Sequence, residues 1–291
     1  MTARLVAVVC TRDRPALLEQ ALAAMPSGLG PEDECVVVDS ASNDGAAVLA
    51  VARSAGCEVV RADRPGLSVA RNIGVAATTA PLIAFTDDDC IVAPGWAQAL
   101  AGAFDSAAVA FATGVVAADR ETRLPLAVRA DVARQRFSPG ADPTRCGHGA
   151  NMAFRRVALE GIGGFDEALG AGARFRAAED VDAFWRLLVA GWEGVAEPSA
   201  AVTHVQWRST SEALRVSYGY GVGLGAMAVG GMRGHRAGAW PLLGGGLWSN
   251  GVARAWRDLR AGYQSGAASS ALRAAGVGVG AIRGAWREGR P

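Results

Sequence analysis

Four short apolar runs that alternate with helical segments constrain the fold of this chain more than any other feature. The runs are, in chain order, LVAVVC at 5–10, CVVV at 35–38, CEVV at 57–60 and LIAF at 82–85. Continuous β-branched runs of this length are typical of strands buried on both faces of a parallel sheet. The predicted helices between them are 15–24, 46–55 and 68–77. The alternation therefore predicts right-handed βαβ units.

After residue 90 the regular alternation of apolar runs and helical segments ends. The predicted elements there are a helix at 94–104, a strand at 108–118, a helix at 179–190 and an extended segment at 195–205, with an irregular polar stretch at 119–146. A length of 291 residues suits one large α/β domain with or without a helical appendage. Because 51% of the residues are apolar, a buried core is expected rather than disorder.

The last part of the chain has a composition of its own. Residues 206–291 contain 11 arginines against 3 acidic residues, five of the eight tryptophans, and two uncharged 17-residue stretches at 216–232 and 237–253. Each stretch falls short of the roughly 20 residues that a spanning helix needs. Arginine and tryptophan favour an anionic membrane interface, which predicts peripheral membrane contact. Packing on the domain, or a homodimer through the GxxxG pair Gly221 and Gly225, is the alternative.

Cysteine usage and the amino terminus bear on location. The five cysteines have no CxxC spacing, which argues against a disulfide framework and against a zinc site. The first apolar run is too short for a signal peptide and is interpreted as a strand. A cytoplasmic location is expected, at the inner face of the cytoplasmic membrane if the basic tail binds there.

The chemistry is concentrated where apolar runs end. FTDDDC at 85–90 places three carboxylates directly after a predicted strand. In open α/β sheets, ligands bind beyond the carboxyl ends of the strands. Adjacent carboxylates repel one another, and hard oxygen ligands suit Mg²⁺ or Mn²⁺ held together with substrate phosphates. In isolation, the same residues are also compatible with an acidic turn.

Several motifs together resemble one known family. Residues 5–45, GLSVARNIG at 66–74 and FTDDDC resemble the nucleotide-binding half of family 2 glycosyltransferases. GHGANMAFRR at 147–156, GGFDE at 163–167 and AEDVDAFWRLLVAG at 178–191 resemble their acceptor half. The resemblance implies an α/β fold of the GT-A type, with a mostly parallel, Rossmann-like central sheet flanked by helices. It divides the chain into a domain at 1–207, with halves 1–90 and 91–207, and a helical, Gly/Arg-rich region at 208–291.

The resemblance also implies donor-binding residues. Thr11 and Asp39 match positions that contact the base and ribose, although Asp39 taken alone also suits a turn or cap. Arg14 is included in the donor site. Arg71 matches the arginine of the family's ARN segment, for which a structural salt bridge is the alternative. The implied donor is a nucleoside diphosphate sugar, with UDP favoured and dTDP or GDP open.

The acidic turn, the ED pair and a downstream histidine complete the implied site. Of the acidic turn, Asp87 is expected near the ribose and the metal, Asp88 in either role, and Asp89 on the metal with His204.

Inversion needs a base opposite the leaving diphosphate, and Asp180 is the candidate, supported by Glu179. A helix N-terminal acid is the alternative for Asp180. His148 lies in a glycine-flanked loop, where contact with acceptor or donor sugar is weighed against an incidental position. Trp207 and Arg208 partly match an element of processive members, without support for processivity.

Three other functions were considered. A nucleotidyltransferase is disfavoured because TRDRPA, after the first strand, lacks glycine. A dinucleotide-binding oxidoreductase is disfavoured because GVGVGA at 276–281 follows no clear strand. A noncatalytic, membrane-associated module with the same fold is the third, against which intact Asp89, Asp180 and His204 argue. The expected partners are a nucleotide sugar and an unidentified hydroxyl acceptor, with no nucleic acid.

Overall fold

The computed structural model describes residues 4–233, 244 and 252–285, and its first half contains the alternating elements that the sequence predicts. The strands are β1 (Leu5–Thr11), β2 (Glu34–Asp39), β3 (Glu58–Arg61), β4 (Leu82–Asp87) and β5 (Cys90–Val92). The helices are α1 (Pro15–Ala23), α2 (Met25–Gly28), α3 (Gly45–Ser54), α4 (Leu67–Ala76) and α5 (Trp96–Gly102).

The second half is more irregular and ends in helices. Its strands are β6 (Val109–Ala118), β7 (Gln135–Phe137), β8 (Asn151–Arg155) and β9 (Glu193–His204). Its helices are α6 (Arg156–Gly161), α7 (Glu179–Val189), α8 (Thr210–Arg233), α9 (Ala253–Arg260) and α10 (Gln264–Ala285). A single turn of 3₁₀ helix occupies Pro143–Arg145.

One sheet contains these nine strands, in the order β3-β2-β1-β4-β8-β6-β9-β5, with β7 beside β9. The strands β3, β2, β1 and β4 are mutually parallel. The register pairs Thr11 with Asp39 and Cys10 with Asp87, so these strand ends meet at one edge. The predicted α/β fold with a central sheet flanked by helices is confirmed, and its parallel part lies within residues 1–90.

The second half of the sheet mixes directions. β8 runs antiparallel to both β4 and β6, whereas β6 and β9 are parallel. β5 and β7 are three residues long and pair antiparallel with β9. The apolar pattern did not predict β5, β7 or β8, because so few residues carry too little periodicity to be distinguished from loop.

The two faces of the sheet have separate cores, which explains why the strands are apolar throughout. Leu5, Ala7 and Val9 of β1 belong to a cluster with apolar residues of α1, α3 and α5. Val6 and Val8 face the other way, into a cluster with residues of α4, α6 and α7. Successive side chains of a strand point to opposite faces, so burial on both sides requires an uninterrupted apolar run.

The C-terminal helices form a tight hairpin on the domain. A β-carbon added to Gly221 would lie 2.0 Å from the carbonyl oxygen of Arg273, and one added to Gly225 would lie 2.1 Å from that of Val277. The glycine pair therefore packs α8 against α10 of the same chain. It is not free to form the predicted dimer surface, because small residues let two backbones approach and here α10 already does so.

The hairpin contacts the domain through an apolar cluster. Its members are Leu169, Phe175, Ala178 and Trp185 of the domain, Val222, Leu224, Ala226, Met227 and Ala228 of α8, and Val277 of α10. Among the described residues, no helix has the length and apolarity that crossing a bilayer requires. The uncharged stretch 216–232 lies in α8, whereas most of 237–253 is outside the described residues.

We expect Gly225→Ala to destabilise the protein by about 1–3 kcal/mol, because the new methyl group meets the α10 backbone and the helices must separate. Gly230→Ala is the matched control on the same helix, since a β-carbon there has no atom within 4 Å. It should be neutral or stabilising by up to about 1 kcal/mol. Urea unfolding of both variants measures the difference. Equal stabilities would show that the hairpin is not packed as described.

Candidate active site

The acidic turn after β4 is tied to the end of β1. Asp88 is fully buried, accepts a hydrogen bond from Thr11 Oγ1 at 2.6 Å and is ion-paired with Arg14 at 2.7 Å. Burial raises the pKa of the Asp88 carboxyl to about 7, against the opposing effect of Arg14. The three side chains predicted to bind the donor therefore satisfy one another, and Asp88 faces the interior.

Asp89 lies where four donors converge. Trp207 Nε1 donates to Oδ2 at 2.8 Å, and Arg14 and Arg208 approach the same oxygen at 3.3 Å and 3.6 Å. His204 Nε2 lies 3.4 Å from Oδ1. Although burial works against it, His204, followed by Arg14 and Trp207, holds the pKa of Asp89 well below its usual value. Asp89 is therefore ionised despite being buried.

His204, at the end of β9, is held in place by the side chain of Gln206. Gln206 Nε2 lies 2.6 Å from His204 Nδ1, and both ends of its amide bond the backbone of Leu126, each at 3.0 Å. The Leu126 bonds fix which end of the amide is the donor, so Nδ1 accepts. The neutral ring then carries its proton on Nε2, toward Asp89. Metal ligation through Nε2 requires the Gln206 amide to turn over.

Arg71, on α4, joins the acidic turn to the ED pair. Its guanidinium is ion-paired with Glu179 at 2.7 Å and with Asp87 at 3.5 Å, and it donates to the carbonyl oxygen of Gly149 at 3.1 Å. The Arg71 side chain is only 2% exposed. Burial raises the pKa of Glu179 to about 7, and Arg71 opposes that rise. The structural salt bridge considered for Arg71 is thus present.

Asp180 is half-buried beside this ion pair. Its Oδ2 accepts from Gly149 N at 2.7 Å, and its Oδ1 accepts from Val181 N at 2.8 Å. Ala178, immediately before α7, has a left-handed backbone with φ of 74° and sets the direction in which the ED pair enters the helix. Asp180 is thus held by two backbone N–H groups, and part of its surface is exposed to solvent.

His148 occupies the loop beside Gly149. Its Nδ1 accepts from Ala150 N at 3.1 Å. Burial lowers the pKa of the imidazole, while Asp180 and Asp87 act in the opposite direction. His148 therefore interacts electrostatically with the carboxylates of the site. The glycine-flanked sequence alone does not distinguish this position from an incidental one.

Asp39 is at the end of the neighbouring strand β2, apart from the acidic turn. Its Oδ1 accepts from Ser42 N at 2.9 Å, and its Oδ2 is ion-paired with Arg61. It forms part of the wall of an open depression of about 430 Å³, which is otherwise lined by Gly45, Ala46, Leu49, Val59 and Arg61. The turn role expected as an alternative for Asp39 is present, and the depression beside it can admit a ligand.

The residues present suit a hard divalent cation better than a soft one. Ligand atoms of Asp89, Cys90 and His204 all lie within 4.8 Å of one another. Burial raises the pKa of the Cys90 thiol well above its usual value, which disfavours the thiolate that metal ligation needs. The Asp89 carboxylate is the hard oxygen ligand that suits Mg²⁺ or Mn²⁺, and the imidazole can complete the set.

The sequence did not predict the contacts of some residues in the site. Trp207 and Arg208 were noticed only as a partial motif, yet both contact Asp89, and the Arg208 guanidinium stacks 4.3 Å above the indole. Their closeness in sequence to His204 was the one feature that could have indicated this. No sequence pattern indicates the roles of Gln206 and of the Gly149 backbone. Their hydrogen-bond partners are 80 and 31 residues away, respectively, and so leave no local pattern.

Comparison with known proteins places this geometry in context. Residues 6–163 match the model of "Glycosyl transferase family 2", which is more than half of the chain. The chain is 33% identical over 147 residues to the pre-mycofactocin glycosyltransferases of two Mycobacterium tuberculosis strains, CDC 1551 and H37Rv. The match covers 48% of this chain and 30% of those relatives, so the chain matches less than a third of their length.

Two solved structures share the fold at low identity. The mannosyltransferase PcManGT from Pyrobaculum calidifontis, in complex with GDP-Man and Mn²⁺, matches with a TM-score of 0.65 and 18% identity, over 99% of this chain and 88% of that one. S. aureus TarS 1-349 in complex with UDP-GlcNAc matches with a TM-score of 0.55 and 15% identity, over 77% of this chain and 66% of that one.

Proposed function

Since this chain belongs to glycosyl transferase family 2, we propose that it transfers a sugar from a nucleoside diphosphate sugar to an acceptor hydroxyl, with inversion and with a divalent metal. One observation carries the proposal. Arg71 bonds both Asp87 of the acidic turn and Glu179 of the ED pair, so that the donor-side and acceptor-side carboxylates meet at one side chain. A module that only bound a ligand would not require this juxtaposition.

The donor is proposed to lie along the carboxyl ends of β1, β2 and β4. The depression beside Asp39 would take the base and ribose, and the acidic turn would face the diphosphate. The two solved structures that share the fold are described with GDP-Man and with UDP-GlcNAc, which supports a nucleotide sugar. We propose UDP as the first nucleotide to test, with GDP and dTDP beside it.

Asp89 and Asp87, together with His204 once Gln206 has turned, would hold Mg²⁺ or Mn²⁺. When bound, such a cation offsets the charge that develops on the departing nucleoside diphosphate. Arg14 and Arg208 lie on the same Asp89 oxygen and can contribute positive charge there. No protein acid is then required for the leaving group.

Asp180 is proposed as the general base. It is half-buried, and its backbone hydrogen bonds fix the carboxylate while leaving part of it toward the cleft. It would take the proton of the acceptor hydroxyl as that oxygen attacks the anomeric carbon from the side opposite the diphosphate. Glu179 would act through Arg71, by keeping the guanidinium between the two halves of the site.

The alternative functions remain distinguishable by activity. A noncatalytic module would bind a nucleotide sugar and never turn it over. A nucleotidyltransferase would release pyrophosphate from a nucleoside triphosphate. The two ion pairs by which Arg71 joins Asp87 to Glu179 favour sugar transfer.

We expect UDP, GDP or dTDP to bind at least tenfold more tightly in Mn²⁺ than in EDTA, measured by calorimetry. Asp89→Asn should remove that increment, because the amide lacks the charge that attracts the cation. Asp105→Asn, which alters an exposed carboxylate that pairs with Arg134 and Arg136 and with none of the site residues, is the control. Equal affinities with and without metal would refute the metal role.

Asp180→Asn should keep donor binding and lower turnover by about a hundredfold or more, because the amide cannot accept the acceptor's proton. Calorimetry with the nucleoside diphosphate and a coupled assay of its release measure the two effects separately. Near-normal turnover in this variant would place the base at another residue.

We also propose that the C-terminal region contacts an anionic membrane peripherally, from the cytoplasmic side, through α9. Trp256 and Leu259 are 59% and 58% exposed on this helix, and Arg254, Arg257 and Arg260 flank them. An exposed apolar stripe between arginines is typical of interfacial helices. Each arginine near an anionic leaflet contributes about 1 kcal/mol.

The protein should therefore float with liposomes of phosphatidylglycerol and phosphatidylcholine at low salt and be released by high salt. The double variant Trp256→Ser/Leu259→Ser should stay unbound. Val157→Ser removes an equally exposed apolar side chain from α6, so it should bind as the wild type does. Flotation of the double variant at the wild-type level would exclude α9 as the contact.

A further inference from the structure

Arg273, on α10, is a cation without a counterion in the described part of the chain. Its Nε is inaccessible to solvent and has no hydrogen-bond partner there. Burial lowers the pKa of the guanidinium; Tyr220 opposes this effect, and the neighbouring cation Arg254 adds to it. The Arg273 residue as a whole is half-buried. A desolvated charge is unfavourable unless an opposite charge or hydrogen bonds compensate it. The position therefore calls for an anion from outside these residues.

Tyr220, on α8, lies directly under this guanidinium. Arg273 Cζ is 5.3 Å from the centre of the Tyr220 ring. Burial raises the pKa of the Tyr220 phenol to about 12; Arg273 and Arg208 oppose that rise, whereas Asp180 and Asp87 add to it. The phenol is therefore within electrostatic reach of both the proposed base and the acidic turn.

Helix packing brings the backbone of α8 against the segment that leads into the ED pair. A β-carbon on Gly223 would lie 2.2 Å from the carbonyl oxygen of Ala177, and one on Gly219 would lie 3.5 Å from Arg176 Cβ. Arg176 and Ala177 immediately precede Ala178 and the start of α7 at Glu179. The face of α8 that carries Gly219 and Gly223 thus packs on the residues immediately before Asp180, beyond the segment that the family model matches.

We propose that Arg273 and Tyr220 form a subsite for an anionic group, a carboxylate or a phosphate, on the acceptor whose hydroxyl is presented to Asp180. A guanidinium binds both groups through two parallel hydrogen bonds, and a phenol hydroxyl adds a further donor. The assignment of the anion to the acceptor rests on the proposed function. The class of acceptor is then a hydroxy acid or a phosphorylated alcohol, free or at a lipid headgroup.

The test uses the full chain saturated with a nucleoside diphosphate and Mn²⁺, so that the donor phosphate site is filled. Calorimetry compares glucuronate with glucose, and glycerol 3-phosphate with glycerol. The anionic member of at least one pair should bind at least tenfold more tightly, and the pair that does so separates a carboxylate from a phosphate. Arg273→Gln should abolish the preference, Arg273→Lys should keep part of it, and Tyr220→Phe should weaken it less.

Arg283→Gln is the matched control, since Arg283 is exposed on the same helix. Arg273→Gln should unfold at the same temperature as this control or higher, because it removes an uncompensated charge, and should bind nucleoside diphosphate equally, which shows that the hairpin and the donor site are intact. The subsite is refuted if no anionic probe binds better than its neutral partner, or if the Arg273→Gln and Arg283→Gln variants bind it equally. Loss of nucleoside diphosphate binding in Arg273→Gln would also overturn it, by assigning the arginine to the donor.

The proposed function is tested independently by the same measurements. A wild-type protein that binds no nucleoside diphosphate refutes the transferase, whatever Arg273 does. A protein that binds nucleoside diphosphate but shows no anion preference keeps the transferase and loses the subsite.

Discussion

The buried ion pair between Arg71 and Glu179 is the contact on which the arrangement of the site depends. It joins α4, which follows the third strand, to α7, which begins 108 residues later in sequence than Arg71. The same guanidinium bonds Asp87 and the Gly149 carbonyl oxygen, so four segments of chain meet at one side chain. Removing one partner of such a pair leaves an uncompensated charge in the interior, which is far costlier than replacing both.

A second charge cluster, at Asp89, has the opposite character. Arg14, Arg208, Trp207 and His204 surround this carboxylate, and they come from the two ends of the domain sequence. Much of its surroundings is cationic, whereas the environment of Arg71 is anionic. The two clusters are therefore complementary in kind, one centred on a carboxylate among cationic side chains and the other on a guanidinium among carboxylates.

The sequence predicted the fold and the placement of carboxylates at strand ends, for physical reasons that can be stated. Strands buried on both faces must be apolar throughout, so the apolar runs predicted β1, β2 and β4. Carboxylates directly after such runs are conspicuous, which is why they were predicted to form the site. The short strands β5 and β7 were not readable, since three residues carry no period. Sequence also could not reveal that Asp88 turns inward to Thr11, or that Gly221 and Gly225 pack on α10, because both depend on contacts distant in sequence.

The helical hairpin also limits how this protein can be dissected. Leu169, Phe175 and Trp185 belong to the α/β domain, yet α8 covers them. A fragment that ended after β9 would expose this cluster next to the ED pair, and such uncovered apolar surface favours self-association. The composition of the chain thus changes near residue 207, but residues on both sides of this position pack in one cluster. Recombination between relatives would have to exchange the hairpin together with the loop before α7.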